Sequence, residues 1–324
     1  MASTNAMAFN VKKHRGYQQM LLDSFLILFM VAMSVYFMFA SKYFLSIKNF
    51  MNIFSSVSIV GIIAAGMTLI IITRGIDLSV GAIIAVAGCI CALLIEKSHF
   101  PWWLAMSTAM ASGFIIGMFN GFLITKFRVL PFIATLGAMN MVRGLAFIST
   151  NGQAIYTSSP QVSFLGAGKI FGLIPVPGII MLLCFVAVWL VSKYTVFGRY
   201  VFAIGGNPVA SRLAGINVKR ITLALYTLTG TLAALSGLVM TGLASTAMPS
   251  VGESYALDTI TAVYLGGNSS EGGEGSVWRT LLGVMIIGIL NNGMALISVQ
   301  SYWQTFIKGT LLIAAVTIDV LRKS

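Results

Sequence analysis

The chain has 324 residues, of which 58% are hydrophobic and only 9% are charged, and its formal net charge is +12. Soluble domains carry about 25% charged residues, so this composition excludes a water-soluble globule and indicates an integral membrane protein. The positive charge is typical of basic loops on the cytoplasmic side of a membrane, and no basic patch interleaved with aromatic residues indicates nucleic-acid binding.

Residue types that hold metals are few and scattered. The cysteines lie inside apolar runs and the two histidines are far apart, so neither a disulfide framework nor a metal site is predicted. No cofactor is expected either. The residues concerned are Cys89, Cys91, Cys184, His14 and His99.

Ten membrane spans are predicted from nearly uncharged stretches of about 20 residues. Residues 1–20 are polar and basic and form a cytoplasmic segment, and residues 21–324 form a single transmembrane domain. The eighth span is too short to cross about 30 Å and is expected to be a half-helix whose broken end lines a cavity. The predicted spans are 21–40, 52–73, 78–95, 102–124, 130–149, 172–192, 221–244, 256–267, 279–297 and 302–321.

The distribution of lysine and arginine gives the predicted orientation. With the N-terminus in the cytoplasm, most of the basic residues outside the spans fall on the cytoplasmic side, as the positive-inside rule requires. The even number of spans then places both termini in the cytoplasm.

The sequence RGIDLSVG, residues 74–81, places two opposite charges between two apolar spans. We expect a tight cytoplasmic reversal in which Gly75 adopts a left-handed conformation and Arg74 lies at the negative end of the second span. Asp77 is expected to cap the third span through the backbone N–H of Ser79 or of the next residue. The alternative is that Asp77 binds a coupling ion or a proton. The residues assigned to this reversal motif are Arg74, Gly75, Asp77, Ser79 and Gly81.

Residues 193–220 form a predicted cytoplasmic loop that is too long for an ordinary connector. Asn207 and Pro208 predict the start of a short helix, as its N-cap and its first residue. The helix is expected to end at Leu213, with Gly215 as its stop signal. It is either a docking element for a partner or a simple amphipathic surface helix.

A glycine-rich stretch, LGGNSSEGGEGS at residues 265–276, lacks the Lys-Ser/Thr ending of a P-loop. We find no ATPase motif elsewhere in the chain. If ATP drives this protein, another subunit must hydrolyse it.

Six polar residues inside the predicted spans are candidates for a translocation path. Each also has a structural interpretation, as a hydrogen bond between helices, a bond to its own helix, or a side chain that reaches the membrane surface. The last interpretation is also the expected one for Lys308. The six candidates are Thr68, Thr135, Asn140, Arg143, Asn291 and Asn292.

Several stretches together resemble a known family. The chain is similar, from about residue 44 to its C-terminus, to the membrane permease subunits of bacterial ABC importers for monosaccharides, most strongly to those for ribose. The stretches are GMTLIIITRGIDLSVGAIIAVAG (66–88), FIATLGAMNMVRGLAFISTNG (132–152), GRYVFAIGGNPVASRLAGINV (198–218), residues 256–293 and SYWQTFIKG (301–309).

The resemblance implies a homodimeric channel with two ATP-hydrolysing subunits below it and a periplasmic sugar-binding protein above it. It implies about ten spans per subunit in the vitamin-B12-permease-like (type II) arrangement, and transport by alternating access. It also implies that the short helix is the coupling helix, with Arg212 as a charged contact to the ATPase. The chain departs from the family in the acids Glu271 and Glu274 and in its first 40 residues. The residues assigned to coupling are Asn207, Pro208, Arg212, Leu213 and Gly215.

The sequence therefore predicts an all-α permease subunit in the bacterial inner membrane, without catalytic activity of its own, that imports a monosaccharide. D-ribose is favoured, and arabinose, xylose, galactose-type sugars or a sugar-derived signal such as autoinducer-2 are alternatives. An ion-coupled secondary transporter is less favoured because the 8 acids lie in loops or near span ends, although Asp258 could be misplaced. An intramembrane enzyme is the weakest alternative, since no nucleophile–base pair is evident.

Overall fold

The computed structural model describes residue 24 and residues 26–321 of the chain. The short strands pair as two antiparallel ribbons, β1 with β4 and β2 with β3. The helices are α1 (Leu26–Ala40), α2 (Ile47–Ile72), α3 (Val80–Glu96), α4 (Trp102–Lys126), α5 (Pro131–Thr150), α6 (Pro160–Ala167), α7 (Val176–Tyr194), α8 (Val196–Gly206), α9 (Pro208–Leu213), α10 (Val218–Ala244), α11 (Tyr255–Leu265), α12 (Val277–Leu296) and α13 (Ser301–Leu321). The strands are β1 (Ile155–Tyr156), β2 (Lys169–Ile170), β3 (Ile174–Pro175) and β4 (Thr246–Ala247).

Seven helices in the described part of the chain are long and apolar enough to cross a membrane, namely α2, α4, α5, α7, α10, α12 and α13. Helices α1, α3 and α8 are apolar but shorter. Each of the ten predicted spans coincides with a helix, although residues 21–23 and residue 25 of the first span lie outside the described residues. The protein is therefore a multi-pass membrane protein, and the total of ten crossings stays a prediction.

The apolar stretch that surrounds RGIDLSVG forms the centre of the helix bundle. Every residue from 57 to 72 in α2 and from 80 to 89 in α3 is buried. A helix that is apolar on all sides is stable where other helices surround it. The absence of charge in these two buried segments thus reflects packing inside the protein rather than contact with lipid.

Glycines let α10 pack closely against α4 and α6. Helix α4 carries Gly113, Gly117 and Gly121 at four-residue spacing, and each of them approaches the backbone of α10. A Cβ at Gly113 would overlap the carbonyl oxygen of Gly230, and a Cβ at Gly242 would overlap the backbone of α6. Small residues of this kind allow the close van der Waals packing that holds membrane helices together.

The two ends of the molecule are distinguished by their connections. At one end, which we call the far end, β1 pairs with β4. At the other end, residues 73–79, 205–206 and 268–275 meet, and we call these three segments the junction and this end the junction end.

Two short helices, α3 and α11, start inside the protein next to each other. A Cβ on Gly81 or on Gly252 would overlap the carbonyl oxygen of the other glycine. From this point α3 runs to the strands of the far end, whereas α11 runs to the junction, where the N–H of Gly273 donates to the carbonyl oxygen of Ile72 at 2.9 Å. The 11 residues of α11 reach only about 16 Å, so the prediction of a short eighth helix is confirmed.

Two connections contain helices that the sequence did not predict. Residues 150–171 lie between the predicted spans 130–149 and 172–192, and they include α6, which reaches the backbone of α10 through Gly166. Residues 193–220 include α8 ahead of the predicted short helix. Helix α8 contains three glycines, which weaken the helical signal of a sequence.

Candidate transport site

The side chain of Arg74 ties two segments of the junction together. Its Nε donates to the carbonyl oxygen of Gly205 at 2.9 Å, and its Nη2 donates to that of Gly206 at 3.0 Å. These carbonyls form the C-terminal end of α8, where the helix dipole favours a cation. Because Asn207 follows directly and caps α9, Arg74 links the α2–α3 connection to the segment that carries α9.

The left-handed residue of the α2–α3 connection is Arg74, with a φ of 64°, so the prediction that Gly75 adopts this conformation is wrong. The N–H of Arg74 donates to Ile71 and that of Gly75 to Ile70, both at 2.9 Å, which is the Schellman arrangement. Gly75 is required for space instead, because a Cβ there would lie 2.6 Å from the hydroxyl of Tyr226. Arg74 follows the C-terminal end of α2 as predicted, and its guanidinium donates its hydrogen bonds at the negative end of α8.

Asp77 forms a hydrogen-bonded turn directly ahead of α3, whose N-cap residue is Ser79, and the predicted bond to the backbone N–H of Ser79 is confirmed. Its Oδ1 accepts from the backbone N–H of Ser79 at 2.9 Å and from the hydroxyl of the same residue at 2.6 Å. Asp77 is fully buried inside the protein, and its expected position near the membrane surface stays a prediction. The hydroxyl of Ser79 also accepts from Nδ2 of Asn120 at 2.8 Å, and Asn120 lies about 9 Å inside the end of α4 at Lys126.

This buried cluster has unused acceptors. Within the described residues, neither Oδ2 of Asp77 nor Oδ1 of Asn120 has a hydrogen-bond partner. The binding of a proton or ion at Asp77 therefore stays a hypothesis that stands beside its capping role.

Helix α9 has the bounds that the sequence predicted, Pro208–Leu213. The side chain of Asn207 accepts hydrogen bonds from two backbone N–H groups of the first turn, both at 3.0 Å. Gly215 has a φ of 85° and ends the helix as predicted. Leu213 is 85% exposed and Arg212 is also exposed, so α9 presents an apolar side chain and a cation outward.

Three of the path candidates make hydrogen bonds that hold helices in place. Oγ1 of Thr68 lies 2.7 Å from the carbonyl oxygen of Ala64 and 2.8 Å from the hydroxyl of Thr280 in α12. The hydroxyl of Thr135 donates to its own helix at 2.8 Å. The amides of Asn292 and Asn49 form two reciprocal hydrogen bonds of 2.9 Å between α12 and α2. These contacts fit the structural interpretation of each residue.

Arg143 contacts the loop that precedes α11. Its Nη1 donates to the carbonyl oxygen of Pro249 at 2.7 Å and to that of Val251. The guanidinium is thus turned toward the protein rather than toward the membrane surface. Arg143 holds the chain where it re-enters the bundle from the far end.

Asn140 is exposed on α5. Gly137 and Gly144 share this region of the helix, and a Cβ on either would meet no atom within 4 Å. A polar side chain on the surface of a membrane helix is costly in lipid. This face therefore calls for a polar neighbour, either the path or another chain.

Lys308 forms an ion pair inside the helix bundle, so its expected position at the membrane surface is wrong. Its Nζ lies 3.0 Å from Oδ2 of Asp258, and the two side chains are 17% and 7% exposed. Asp258 lies in the first turn of α11, near the helix end as predicted, but buried. The pair joins the short helix to α13.

A cavity of about 130 Å³ lies between α2, α11 and α12. Asn291 lines it, and the Oδ1 of this residue is buried and has no hydrogen-bond partner among the described residues. Ser56 and Tyr255 also line the cavity, and the one hydrogen bond of the Tyr255 hydroxyl within the described part of the chain is to the thioether of Met240, at 3.8 Å. The cavity has room for several water molecules and offers them polar partners.

Two of the polar residues in this cavity were not predicted. Ser56 lies in an apolar span beside other serines, and Tyr255 directly precedes the predicted eighth span and is the first residue of α11. The position of Tyr255 beside a broken helix was a usable signal, because transporters bind substrates at such breaks. Of the six predicted candidates, the cavity includes Asn291.

The comparison with protein families decides the class of the protein. A family described as branched-chain amino acid transport system / permease component matches residues 49–316. The chain belongs to this permease family. The match includes the junction, α9 and the cavity described above.

Individual permeases from several bacteria are similar over most of the chain. The ribose import permease of Bacillus subtilis is 44% identical over 278 residues, which cover 85% of this chain and 86% of the relative. The ribose import permease of Escherichia coli K12 is 41% identical over 285 residues, or 86% and 88% of the two chains. The fructose import permease of Rhizobium meliloti is 35% identical over 274 residues, or 82% and 76%.

Proposed function

We propose that this chain is the membrane-spanning permease subunit of an ATP-driven importer for a monosaccharide, and that the sugar is D-ribose. The observation that carries this proposal is the similarity to ribose import permeases over about six sevenths of the chain, at 41% and 44% identity. The fructose permease is more distant, at 35%. The chain itself is a transport component, and a partner hydrolyses ATP.

The proposed sugar path passes the cavity of Ser56, Tyr255 and Asn291. Its polar atoms are incompletely bonded, so they can accept or donate to sugar hydroxyls without first breaking strong bonds. A weak site is sufficient if an external binding protein supplies affinity. Thr68, Thr135 and Asn292 act in this proposal as supports for the walls.

The proposed coupling helix is α9. Its exposed Leu213 enters a groove on the ATPase subunit, and Arg212 makes a charged contact beside it. The two hydrogen bonds of Arg74 then connect a movement of α9 to the α2–α3 connection. The glycine-rich loop carries the same movement to α11 and α12, which line the cavity.

The proposed assembly contains two copies of the permease, two ATP-binding subunits and a periplasmic sugar-binding protein. Ten spans per copy, the type II arrangement, a bacterial inner-membrane location and cytoplasmic termini belong to this proposal. The junction end then faces the cytoplasm, in agreement with the basic residues of the sequence. The exposed face of α5 around Asn140 meets the second copy.

Uptake of labelled sugar by proteoliposomes that contain the whole assembly tests the substrate. We expect ATP-dependent uptake of ribose that unlabelled ribose suppresses more strongly than fructose or allose does. Preferential suppression by another sugar would overturn the assignment of ribose. The lack of uptake of any sugar would overturn the function itself.

The variant Leu213→Asp tests the coupling helix. We expect it to lose co-purification of the ATPase subunit and sugar uptake together, because a carboxylate cannot fill an apolar groove without a large desolvation cost. The matched control is Leu173→Asp, an exposed leucine between β2 and β3, which should retain both. Arg212→Glu should also reduce coupling, and normal ATP-driven uptake in both α9 variants would contradict the docking role.

A further inference from the structure

A basic groove lies at the junction end between α4, α9 and α10. It has a volume of about 600 Å³. Three cations line it, and no carboxylate is among the lining residues. The lining residues are Ile124, Thr125, Arg128, Arg212, Val218, Lys219 and Thr222.

Within residues 26–321, the cations of the groove have no acidic partner. Among the described residues, neither Arg128 nor Lys219 nor Arg212 takes part in an ion pair. Clustered like charges are costly unless an anion lies between them. The groove therefore fits a ligand with concentrated negative charge, such as a phosphate group.

The groove lies near the ends of two long apolar helices. Ile124 and Thr125 belong to the last turn of α4, and Thr222 lies in the second turn of α10. Both helices are long and apolar enough to cross a membrane. Basic pockets between membrane helices at the cytoplasmic surface are typical sites for anionic lipid headgroups.

Exposed aromatic residues adjoin the groove. Phe122 and Phe127 pack edge to face with ring centroids 5.6 Å apart, and they are 46% and 63% exposed. Phe122 is three residues before Thr125, so the two share a face of α4. The cations can bind a phosphate group, and the apolar surface beside them can contact acyl chains. This combination favours a phospholipid over an acidic protein segment as the ligand.

We propose that the groove of α4, α9 and α10 binds the headgroup of an anionic phospholipid. The lipid supplies the negative charge that the chain lacks at this position. Because Arg212 lies in both the groove and α9, the lipid also sits beside the proposed coupling helix. The binding itself does not depend on which sugar the protein transports.

Native mass spectrometry of the full-length permease, released from vesicles of phosphatidylglycerol and phosphatidylcholine, tests this site. The groove variant is Arg128→Gln with Lys219→Gln, which leaves Arg212 in place. The control variant is Lys193→Gln with Arg199→Gln, which removes the same charge from residues outside the groove lining. We expect wild type and control to retain phosphatidylglycerol, and the groove variant to retain it at least about tenfold less.

Two further arms identify the ligand. Arg128→Lys with Lys219→Arg keeps the charge and should retain the lipid, which guards against an effect of misfolding. An excess of inorganic phosphate should not displace it, because free phosphate makes no acyl-chain contact. Equal retention in the groove and control variants, or displacement by phosphate alone, would overturn the proposal. So would a loss of the ATPase subunit with unchanged lipid retention, since the groove would then be a protein interface.

Discussion

Two arginines hold two different connections between helices. At the junction, Arg74 donates to the carbonyls of Gly205 and Gly206, and glycines pack backbone against backbone around it. Toward the far end, Arg143 donates to the carbonyls of Pro249 and Val251 in the loop that leads to α11 and its incompletely bonded cavity. In the proposed mechanism, the junction transmits a movement of α9, and the region between Arg143 and the cavity changes shape.

The tight packing of the junction gives the largest expected effect. A Cβ at Gly205 would overlap the carbonyl oxygen of Ile72 and the N–H of Gly273, whereas a Cβ at Gly206 would meet no atom within 4 Å. We expect Gly205→Val to lower the free energy of unfolding by about 3 kcal/mol or more and to abolish folded permease. The adjacent Gly206→Val should purify normally, as measured by size-exclusion chromatography and thermal unfolding. Equal yields of the two variants would show that the junction is not tightly packed.

Removal of the junction arginine should affect coupling more than folding. Arg74→Ala loses two hydrogen bonds from a partly exposed charged donor, worth about 1 kcal/mol each. We expect ATP hydrolysis to continue while sugar uptake per ATP falls roughly tenfold. Arg74→Lys should restore part of this ratio, because an ammonium keeps the charge but lacks the two-pronged geometry. A normal ratio of sugar uptake to ATP hydrolysis in Arg74→Ala would show that Arg74 does not take part in coupling.

The corresponding substitution of Arg143 tests how its role differs from that of Arg74. Arg143→Ala should lower sugar uptake several-fold, because the loop before α11 loses two hydrogen bonds and α11 loses its fixed start. Unlike Arg74→Ala, it should leave the assembly with the ATPase and the basal ATP hydrolysis unchanged. Sugar uptake and ATP hydrolysis are measured in parallel in the Arg74→Ala and Arg143→Ala variants. Identical results in the two variants would show that the two arginines do not have different roles.

The smallest expected effects separate two adjacent asparagines. Asn292→Ala loses the reciprocal bonds to Asn49 and should cost about 0.6 kcal/mol of stability, with little change in uptake. Asn291→Ala removes an amide that lines the cavity and should raise the sugar concentration needed for half-maximal uptake a few-fold at unchanged stability. Thermal unfolding and uptake kinetics of both variants test this difference. The reverse pattern would indicate that Asn292, rather than Asn291, lines the sugar path.

Local signals in the sequence predicted much of this fold because they act over a few residues. Apolar stretches predicted the helices, and Asn207, Pro208 and Gly215 predicted the bounds of α9. The Asp77–Ser79 bond was predictable for the same reason. Long-range contacts were not predictable in this way. Ser79 accepts a hydrogen bond from Asn120, 41 residues further along the chain, and the Lys308–Asp258 pair joins residues 50 apart.

The same limit applies to the candidate site. Polar residues in spans were detectable, but nothing in their spacing distinguished Asn291 at the cavity from Asn292 between two helices. The left-handed position of Arg74 was missed because glycine is the residue that usually takes it. Tertiary packing against Tyr226 instead requires glycine at the following position.

Transport driven by different energy sources is the most direct test of the central claim that an external ATPase drives this permease. Ribose uptake is measured in proteoliposomes with either the complete assembly and ATP, or the permease alone under an imposed proton or sodium gradient. We predict accumulation with ATP and none with either gradient. Accumulation by the permease alone under a gradient would contradict the account and would assign the buried carboxylate of Asp77 a direct role in ion coupling.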